Sequence, residues 1–580
     1  MESRRQLDAA GNTSTGRPLI RALAALVLFG WTFSLPAQSS QQTSNRLSTI
    51  RQLFAEHRWE QVVREVESTP NCDAELDFYY GTALAQLGRW DDARRAFLGG
   101  RRLRPKDKRF PIELGGVAFK QRRYSEAAAW LQRGLRLDPA DSYANDFLGT
   151  VYFVQGNLEA ALKYWNRVAK PQIEQIRPEQ RLRIAPALLD RAFAFAPAST
   201  LRLPDLLTTE ARIGGLDIFP SYSFQLTAQD DGKFDVVFRA QERNGWGSNK
   251  WESLLSIFRG VFYQTVYPEY FNLNRSAMNV TSLVRWDAQK RRLAATFSAP
   301  LEHNPRQRYH LGLDLRNENW VIRPSFKGPA PTLGALNLRR EAVDGAIASF
   351  SSGRWGWSTG AELSHRDYRS VFVGSALIPD VLSRGYQLKH LAQLNYELWR
   401  VPDRRLVVAS SVSSQVATIW SNPRHTFEKL QASLSGDWFP QMRGDDYKLQ
   451  EQIRAGKTFG QVPFDELFML GLERDNDLWL RAHIGTRDGR KGSAPLGRNY
   501  FLSNWEINKN VYDNGIFSVK LSPFLDTGKI TGSSAGLSST KWLSDTGVQV
   551  KLSVLGVGIT FTCAKDLRSG NNAFYAMASR

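Results

Sequence analysis

Few side chains in this 580-residue chain are typed and spaced for covalent chemistry. Gly532-Ser533-Ser534-Ala535-Gly536 has the Gly-x-Ser-x-Gly form of a nucleophile elbow, which needs a sharp strand-to-helix turn beneath the serine. Here it falls in a Ser/Gly/Thr-rich connection between two strand-like segments, and a loop tip explains it better. Gly556-Val557-Gly558 lies inside strand-like sequence and reads as close packing in a wall, not as a phosphate cradle. The seven histidines are scattered and no His-Glu-x-x-His stretch occurs. Cys72 and Cys563 are the only cysteines, too few for a disulfide framework or a metal cluster. No catalytic residue, metal or cofactor is expected, and the chain does not read as an enzyme.

Patterning carries more than chemistry does. From about Trp246 to Arg580 one alternating segment follows another. Tyr309, Leu311, Leu313 and Leu315 alternate with His310, Gly312, Asp314 and Arg316. Phe517, Val519 and Leu521 repeat the pattern, as do Val548, Val550, Leu552 and Val554. Such a strand shows an apolar face to one side and a polar face to the other. A β-sandwich would alternate in the same way. The segment has room for about sixteen strands of barrel length, and a transmembrane β-barrel satisfies every backbone group in lipid without one long apolar run. Ahead of it, Arg4, Arg5, Arg17 and Arg21 precede the apolar run Ala22 to Leu35, and Leu35-Pro36-Ala37 supplies a small residue before polar sequence. Residues 1–37 thus have the layout of a cleavable signal peptide. The formal charge of +19 would ordinarily suggest nucleic acid. A leader removes the protein from the cytoplasm, so no nucleic-acid partner is expected. Anionic lipopolysaccharide, an acidic exopolysaccharide or an anionic client fit the charge instead.

Between residues 45 and 170 the period changes to about 3.6 and the sequence repeats every 34 residues. Gly81, Gly115 and Gly149 are in register; so are Trp90, Tyr124 and Leu158, then Ala93, Ala127 and Ala161, then Phe97, Leu131 and Trp165, with Pro105 and Pro139 closing two units. Small Gly and Ala let two antiparallel helices approach, the bulky position fills the space beyond, and Pro stops the second helix. This resembles the tetratricopeptide repeat, as a peptide-binding groove or as a stacked spacer.

Residues 181–243 are too long for a loop. Leu188 to Phe193 and Leu203 to Gly214 read as helices, followed by strands at Tyr222 to Leu226 and Phe234 to Arg239 about the turn Gln229-Asp230-Asp231-Gly232. The order is similar to a POTRA domain, the module that precedes the barrel in outer-membrane insertases and two-partner secretion transporters. That likeness implies a strand edge, on Tyr222 to Leu226 or on Phe234 to Arg239, where an unfolded client pairs by β-augmentation. The other reading is a rigid adaptor.

Late in the chain, Pro463-Phe464-Asp465-Glu466-Leu467-Phe468-Met469-Leu470-Gly471 and then Leu478-Trp479-Leu480-Arg481-Ala482-His483 resemble the insertase-family segment in which a strand is followed by a long loop folded back into the pore. The family's loop arginine corresponds to Arg481; its glycine and aromatic are replaced by Ala482 and His483. Phe524-Leu525-Asp526, followed by Gly528, matches the family's Phe-x-Asp strand motif, and Trp505-Glu506-Ile507 occupies the intervening strand. The resemblance implies an ion pair between Arg481 and Asp526 that fixes the loop, with Phe524, Glu506 and Gly528 supporting it. The chain ends in Ala576-Met577-Ala578-Ser579-Arg580, behind Phe574 and Tyr575, where many such barrels end in an aromatic.

The whole is α+β and multidomain: leader 1–37, repeats 45–170, POTRA-like module 181–243 and barrel 246–580. The resemblance implies an outer-membrane protein of the insertase and two-partner secretion superfamily, with its amino-terminal domains in the periplasm. It would insert or translocate an unfolded or secreted polypeptide without a cofactor. Its repeats would recruit client or a periplasmic or membrane protein partner, and lipid or lipopolysaccharide would surround the barrel. The alternative is an exopolysaccharide export pore with a repeat scaffold, whose Arg-rich lumen would conduct an anionic polymer; a purely structural barrel is a third.

Overall fold

A computed structural model describes residues 37–68, 73–325, 327–375, 377–532, 537, 541–554 and 557–579. The leader up to Pro36, Cys72, Ser533 to Gly536 of the elbow-like motif and Gly556 lie outside the described residues. Two compact units follow one another, the first ending at Leu103 and the second beginning at Arg104.

The first unit holds α1 (Ala37–Ala55), α2 (Trp59–Glu67), α3 (Ala74–Gln86) and α4 (Trp90–Leu103). The second opens with α5 (Arg109–Lys120), α6 (Tyr124–Leu137), α7 (Ser142–Val154) and α8 (Leu158–Trp165). Asp73, Asp141 and Asn157 cap α3, α7 and α8 by accepting backbone N–H groups that the first helical turn leaves free. The 34-residue register has a steric origin. A Cβ placed on Gly81, Gly115 or Gly149 would lie 2.7, 2.8 or 2.3 Å from Phe97, Leu131 or Trp165, each sixteen residues on in the partner helix. Ala93, Ala127 and Ala161 are fully buried beside them. Pro105 and Pro139 lie two residues beyond the ends of α4 and α6.

A small mixed sheet with two helices follows: β1 (Ile173–Pro178), α9 (Pro186–Ala192), α10 (Leu203–Gly215), β2 (Ser221–Ala228) and β3 (Phe234–Gln241), in strand order β1-β3-β2. β1 precedes residue 181, so the sheet is one strand larger than the connector suggested. β1 pairs parallel to β3, which places β3 in the centre and leaves β2, not Phe234 to Arg239, as the antiparallel edge. The sheet shares one hydrophobic core with α5–α8. Phe234 of β3 packs against Phe153 and Trp165 at ring-centroid distances of 6.1 and 5.5 Å.

Next come α11 (Lys250–Phe258) and a closed barrel. Residues 250–258 are thus helical where alternation suggested strand. The wall begins with β4 (Thr265–Val266), β5 (Glu269–Leu273), β6 (Met278–Trp286), β7 (Lys290–Leu301), β8 (Asn304–Ile322), β9 (Gly334–Ser349), β10 (Trp355–Phe372), β11 (Gly385–Val401), β12 (Leu406–Trp420), β13 (His425–Trp438) and β14 (Tyr447–Gly460). A 38-residue loop, 461–498, carries the two-residue strands β15 (Phe468–Met469), β16 (Thr486–Arg487), β17 (Arg490–Lys491) and β18 (Leu496–Gly497). The wall resumes with β19 (Asn499–Asp513), β20 (Phe517–Thr531), β21 (Leu543–Val554), β22 (Val557–Asp566) and β23 (Asn572–Ser579). β14 pairs directly with β19, so the loop is an insertion at one rim of the barrel. Among the described residues, fourteen strands of eight residues or more, with the split β4 and β5, make the wall, close to the sixteen the length allowed.

Successive side chains alternate between lumen and exterior, and the outer face is apolar. Leu311, Leu394, Val412, Trp399, Trp505 and Val548 are each at least 40% exposed. Burying that band in water-free surroundings is worth about 25 cal/mol per Å². At the opposite rim the helical parts are seated on the strand connections. Ala185 N–H donates to the Arg275 carbonyl at 2.8 Å, Arg308 Nη1 donates to the Leu216 carbonyl at 3.0 Å and Gly353 N–H to Thr208 Oγ1 at 3.2 Å. The last repeat docks on the β11–β12 turn through Asn157 Nδ2 on the Pro402 carbonyl (2.9 Å), Arg400 on Glu159 (2.7 Å) and Lys163 on Asp403.

Candidate functional site: a pinned loop inside the barrel

The loop 461–498 reaches back into the lumen as a lid, and its ionisable side chains decide where it sits. Asn476 shapes the tip by donating Nδ2 to the carbonyls of Gly471 (2.7 Å) and Met469 (2.9 Å), and Leu472 N–H donates to the His483 carbonyl at 2.7 Å. This turn projects Arg481 towards the last wall strands.

Arg481 and Asp526 meet there as a fork. Arg481 Nε donates to Asp526 Oδ2 at 2.9 Å and Nη2 to Oδ1 at 2.7 Å, while the Arg481 backbone N–H donates to Oδ2 at 3.1 Å. The remaining nitrogen, Nη1, reaches Glu506 Oε2 at 2.6 Å and Gln549 Oε1 at 3.1 Å. Phe524, two residues before Asp526 and so on the same strand face, lies under the guanidinium at 3.8 Å from its ring centre. Asp526 is completely buried, and Asn504 Nδ2 supplies one further hydrogen bond at 2.7 Å. A buried guanidinium needs planar acceptors, and β19, β20 and β21 provide them in one fork. Trp505, Ile507 and Leu525, the alternate residues of the same strands, face outwards.

Ala482 and His483, where the resemblance has glycine and an aromatic, are accommodated. Ala482 does not occupy a positive-φ backbone, so glycine's freedom is not required. It is fully buried against Phe524, Ala564 and Ala573, and its N–H donates to Asp545 Oδ2 at 2.6 Å. His483 Nδ1 lies 3.0 Å from Asp545 and Nε2 3.7 Å from Asp566, adding polar contacts to the Arg481 anchor in place of an aromatic one. These three side chains could geometrically hold a cation; here the imidazole bridges the two carboxylates. Gly528 has a contact role: a Cβ there would lie 3.1 Å from the lid's Leu470 and 3.2 Å from the Phe501 carbonyl.

Two further anchors were not foreseen. Residues 464–466 form a 3-10 turn in the lid, not a wall strand, because β14 ends at Gly460. Asp465 and Glu466 on that turn enter a ring of cations from successive strands. Arg366 Nε is 3.2 Å from Asp465, Lys389 Nζ is 2.6 Å from Glu466 and Arg340 is 3.8 Å from each carboxylate. Lys429 Nζ donates to the Glu466 carbonyl at 3.1 Å and Tyr368 OH to Asp465 at 2.6 Å. Asp475 lies between Arg285 (3.1 Å) and Arg292 (2.5 Å) of the first strands and the lid's own Lys491 (3.0 Å), and Glu473 takes Lys290 at 3.4 Å. Asp-Glu and Glu-x-Asp in a lid were visible signals; their partners were not.

Where β23 meets the first strand segments the wall differs from the rest. The circuit closes there on β4, a strand of only two residues, whereas β22 pairs with β23 along the whole of β23. The contact across is the Tyr263 hydroxyl donating to the Ala576 carbonyl, with Arg474 of the lid 3.4 Å over the Tyr263 ring. A cleft of about 330 Å³ opens there, lined by Phe262, Arg285, Glu473, Arg474, Tyr575 and Met577 among others.

Residues 80–142 match the tetratricopeptide repeat family. Residues 80–142 are thus tetratricopeptide repeats. No curated protein matches the sequence. Among solved structures the chain is similar to BamA from Haemophilus ducreyi lacking POTRA domains 1-3, at 11% identity over 70% of this chain and 84% of that one, with a TM-score of 0.41. It is similar also to CdiB from Escherichia coli, at 14% identity over 71% and 77%, TM-score 0.46. CdiB from Acinetobacter baumannii gives 11% identity over 73% and 82%, TM-score 0.41.

Proposed function

We propose that the protein is an outer-membrane barrel that inserts or translocates polypeptide, with its tetratricopeptide repeats and POTRA-like sheet in the periplasm recruiting client or partner. The observation that carries this reading is the seam. The wall closes between the eight-residue β23 and the two-residue β4, so an incoming strand has a short pairing to displace to reach the main-chain groups of β23, whatever its side chains. The exposed apolar band supports lipid or lipopolysaccharide as the barrel's surroundings. The free edge of β2 supplies a second strand site on the periplasmic side.

Polymer export is less favoured for a stated reason. Arg285, Lys290, Arg292, Arg366 and Lys389 face the lumen, but each is engaged by a lid carboxylate. An anionic polymer would have to displace those pairs. The test is folding of a urea-unfolded small outer-membrane barrel, used as probe, in proteoliposomes holding the full chain. Severalfold faster appearance of the heat-modifiable folded band than in empty liposomes is the expected result. An unchanged rate, together with no protease protection of the probe inside the vesicles, removes both insertion and translocation.

A further inference from the structure

Helix α11 is amphipathic in the opposite sense to a helix of a water-soluble protein. Trp251, Leu254, Leu255 and Phe258 fall at i, i+3, i+4 and i+7, one stripe of a helix, and all four are exposed, Trp251 by 69%. The polar stripe is the buried one. Glu252 and Ser256 are each 2% exposed. Glu252 accepts from Arg243 Nε at 3.1 Å, and Glu269 of β5 accepts from Ser256 Oγ at 3.1 Å and from Arg259 Nη2 at 2.9 Å. Asn249 caps the helix through Trp251 and Glu252 N–H, so it is a built element and not a strand that failed to pair. It touches β4 and β22, beside the place where the wall closes on the two-residue β4.

We propose that α11 is a membrane-seated helix covering the seam, with its apolar stripe in lipid; this rests on the outer-membrane reading of the barrel. Lipid is the occupant because the stripe continues the barrel's own outer face. Ile559 and Phe561 of β22 and Tyr270 of β5 are exposed on either side of it, and Phe262, immediately beyond the helix, is 93% exposed. Trp246 and Tyr270, in edge contact at 5.5 Å, extend it with the ring type that settles at a membrane interface. A lateral protein partner would also cover an apolar stripe, but would not need the same outward apolar character on the strands flanking it. Buried polar contacts on one side and lipid on the other hold α11 beside the short β4.

The experiment is nitroxide accessibility on the full chain in lipid nanodiscs, with Cys72 and Cys563 replaced by serine and single labels at Leu255→Cys, Phe258→Cys and, on β12, Val412→Cys. Relaxation by oxygen severalfold stronger than by a nickel chelate at all three positions is the expected result. Nickel access at the two helix positions with oxygen preference at Val412→Cys overturns the proposal and leaves the membrane barrel standing. Nickel access at all three defeats the barrel reading itself. Helix labels shielded from both agents mean that protein covers the stripe, which also overturns the proposal. Two positions on the same face guard against one label displacing the helix.

Discussion

Replacing Arg481 should loosen the lid at one of its three anchors, and the size of the effect follows from what the side chain leaves behind. In Arg481→Ala two oxygens of a fully buried Asp526 lose a bidentate donor at 2.7 and 2.9 Å, and Glu506 loses a third contact at 2.6 Å. Removing one partner of a buried ion pair costs about 3–5 kcal/mol, since the remaining charge has neither water nor partner. When the lid swings out, water reaches the carboxylates, so nearly all of that cost belongs to the closed state. At about 1.4 kcal/mol per tenfold, the closed-to-open ratio should fall by roughly two to three and a half powers of ten. Asp526→Ala should be milder, because Arg481 keeps Glu506 and Gln549 as acceptors. The double variant should open less than the sum of the singles, since neither charge is then left alone. Single-channel open probability in planar bilayers measures all four proteins. Wild-type gating in Arg481→Ala, or strict additivity in the double variant, would refute the lock.

Three further outcomes are expected. Glu466→Ala should leave Arg366, Lys389 and their neighbours facing the lumen unbalanced, and any residual conductance should turn anion-selective, read as a reversal-potential shift in a salt gradient; an unshifted potential would deny that ring an influence on permeation. Gly149→Ala should destabilise the repeats by about 1–3 kcal/mol through overpacking, because the new methyl would meet Trp165 at 2.3 Å, whereas Gly116→Ala, with its nearest neighbour 3.9 Å away, should be neutral or slightly stabilising, as thermal unfolding followed by helical circular dichroism will show. Burial, with the Glu159 carboxylate beside it and only Arg400 opposing, pushes the Glu210 carboxyl up to about 7 from an ordinary 4.5. The folded state therefore holds that proton more tightly than the unfolded one, so its contribution is complete below about pH 4.5 and is lost as pH rises through about 7. The unfolding temperature should fall between pH 5 and pH 8 in the wild type and much less in Glu210→Gln, whose failure to flatten the profile would assign the dependence elsewhere.

What could be read from the sequence was what repeats or alternates locally. Gly149 and Trp165 are sixteen residues apart, and a 34-residue period exposes both. Phe524, Leu525 and Asp526 declare their faces because a strand alternates every residue. The first strand of the small sheet, Ile173-Glu174-Gln175-Ile176-Arg177-Pro178, has no clean alternation and pairs with β3, far along the chain, so nothing local marks it. The same limit hid two of the lid's three anchors. Alternation tells that Arg366 and Lys389 point inwards, but not that a loop carrying Glu466, 100 and 77 residues later, returns to meet them; register around a barrel is set by the closed circuit of pairings, which no window of sequence contains. The α11 stripe is a different case, since Trp251, Leu254, Leu255 and Phe258 have helical spacing in plain view. The surrounding alternation concealed it.

The distribution of charge explains why so basic a lumen can be closed at all. The lid brings Asp465, Glu466, Glu473 and Asp475 to the strands that carry Arg285, Arg292, Arg366 and Lys389, and brings its own Arg481 to the strands that carry Glu506 and Asp526. Opposite signs thus face each other at three points around the wall. A lid tethered at one point could pivot, whereas one tethered at three must break buried pairs before it moves, each worth several kcal/mol when left half-made. Among the described residues the β23–β4 seam is held by less: a pairing onto a two-residue strand, a tyrosine hydroxyl on a carbonyl, an arginine over a ring and an amphipathic helix. The weaker element is the one expected to yield first, so lateral opening at the seam should precede any passage through the lumen.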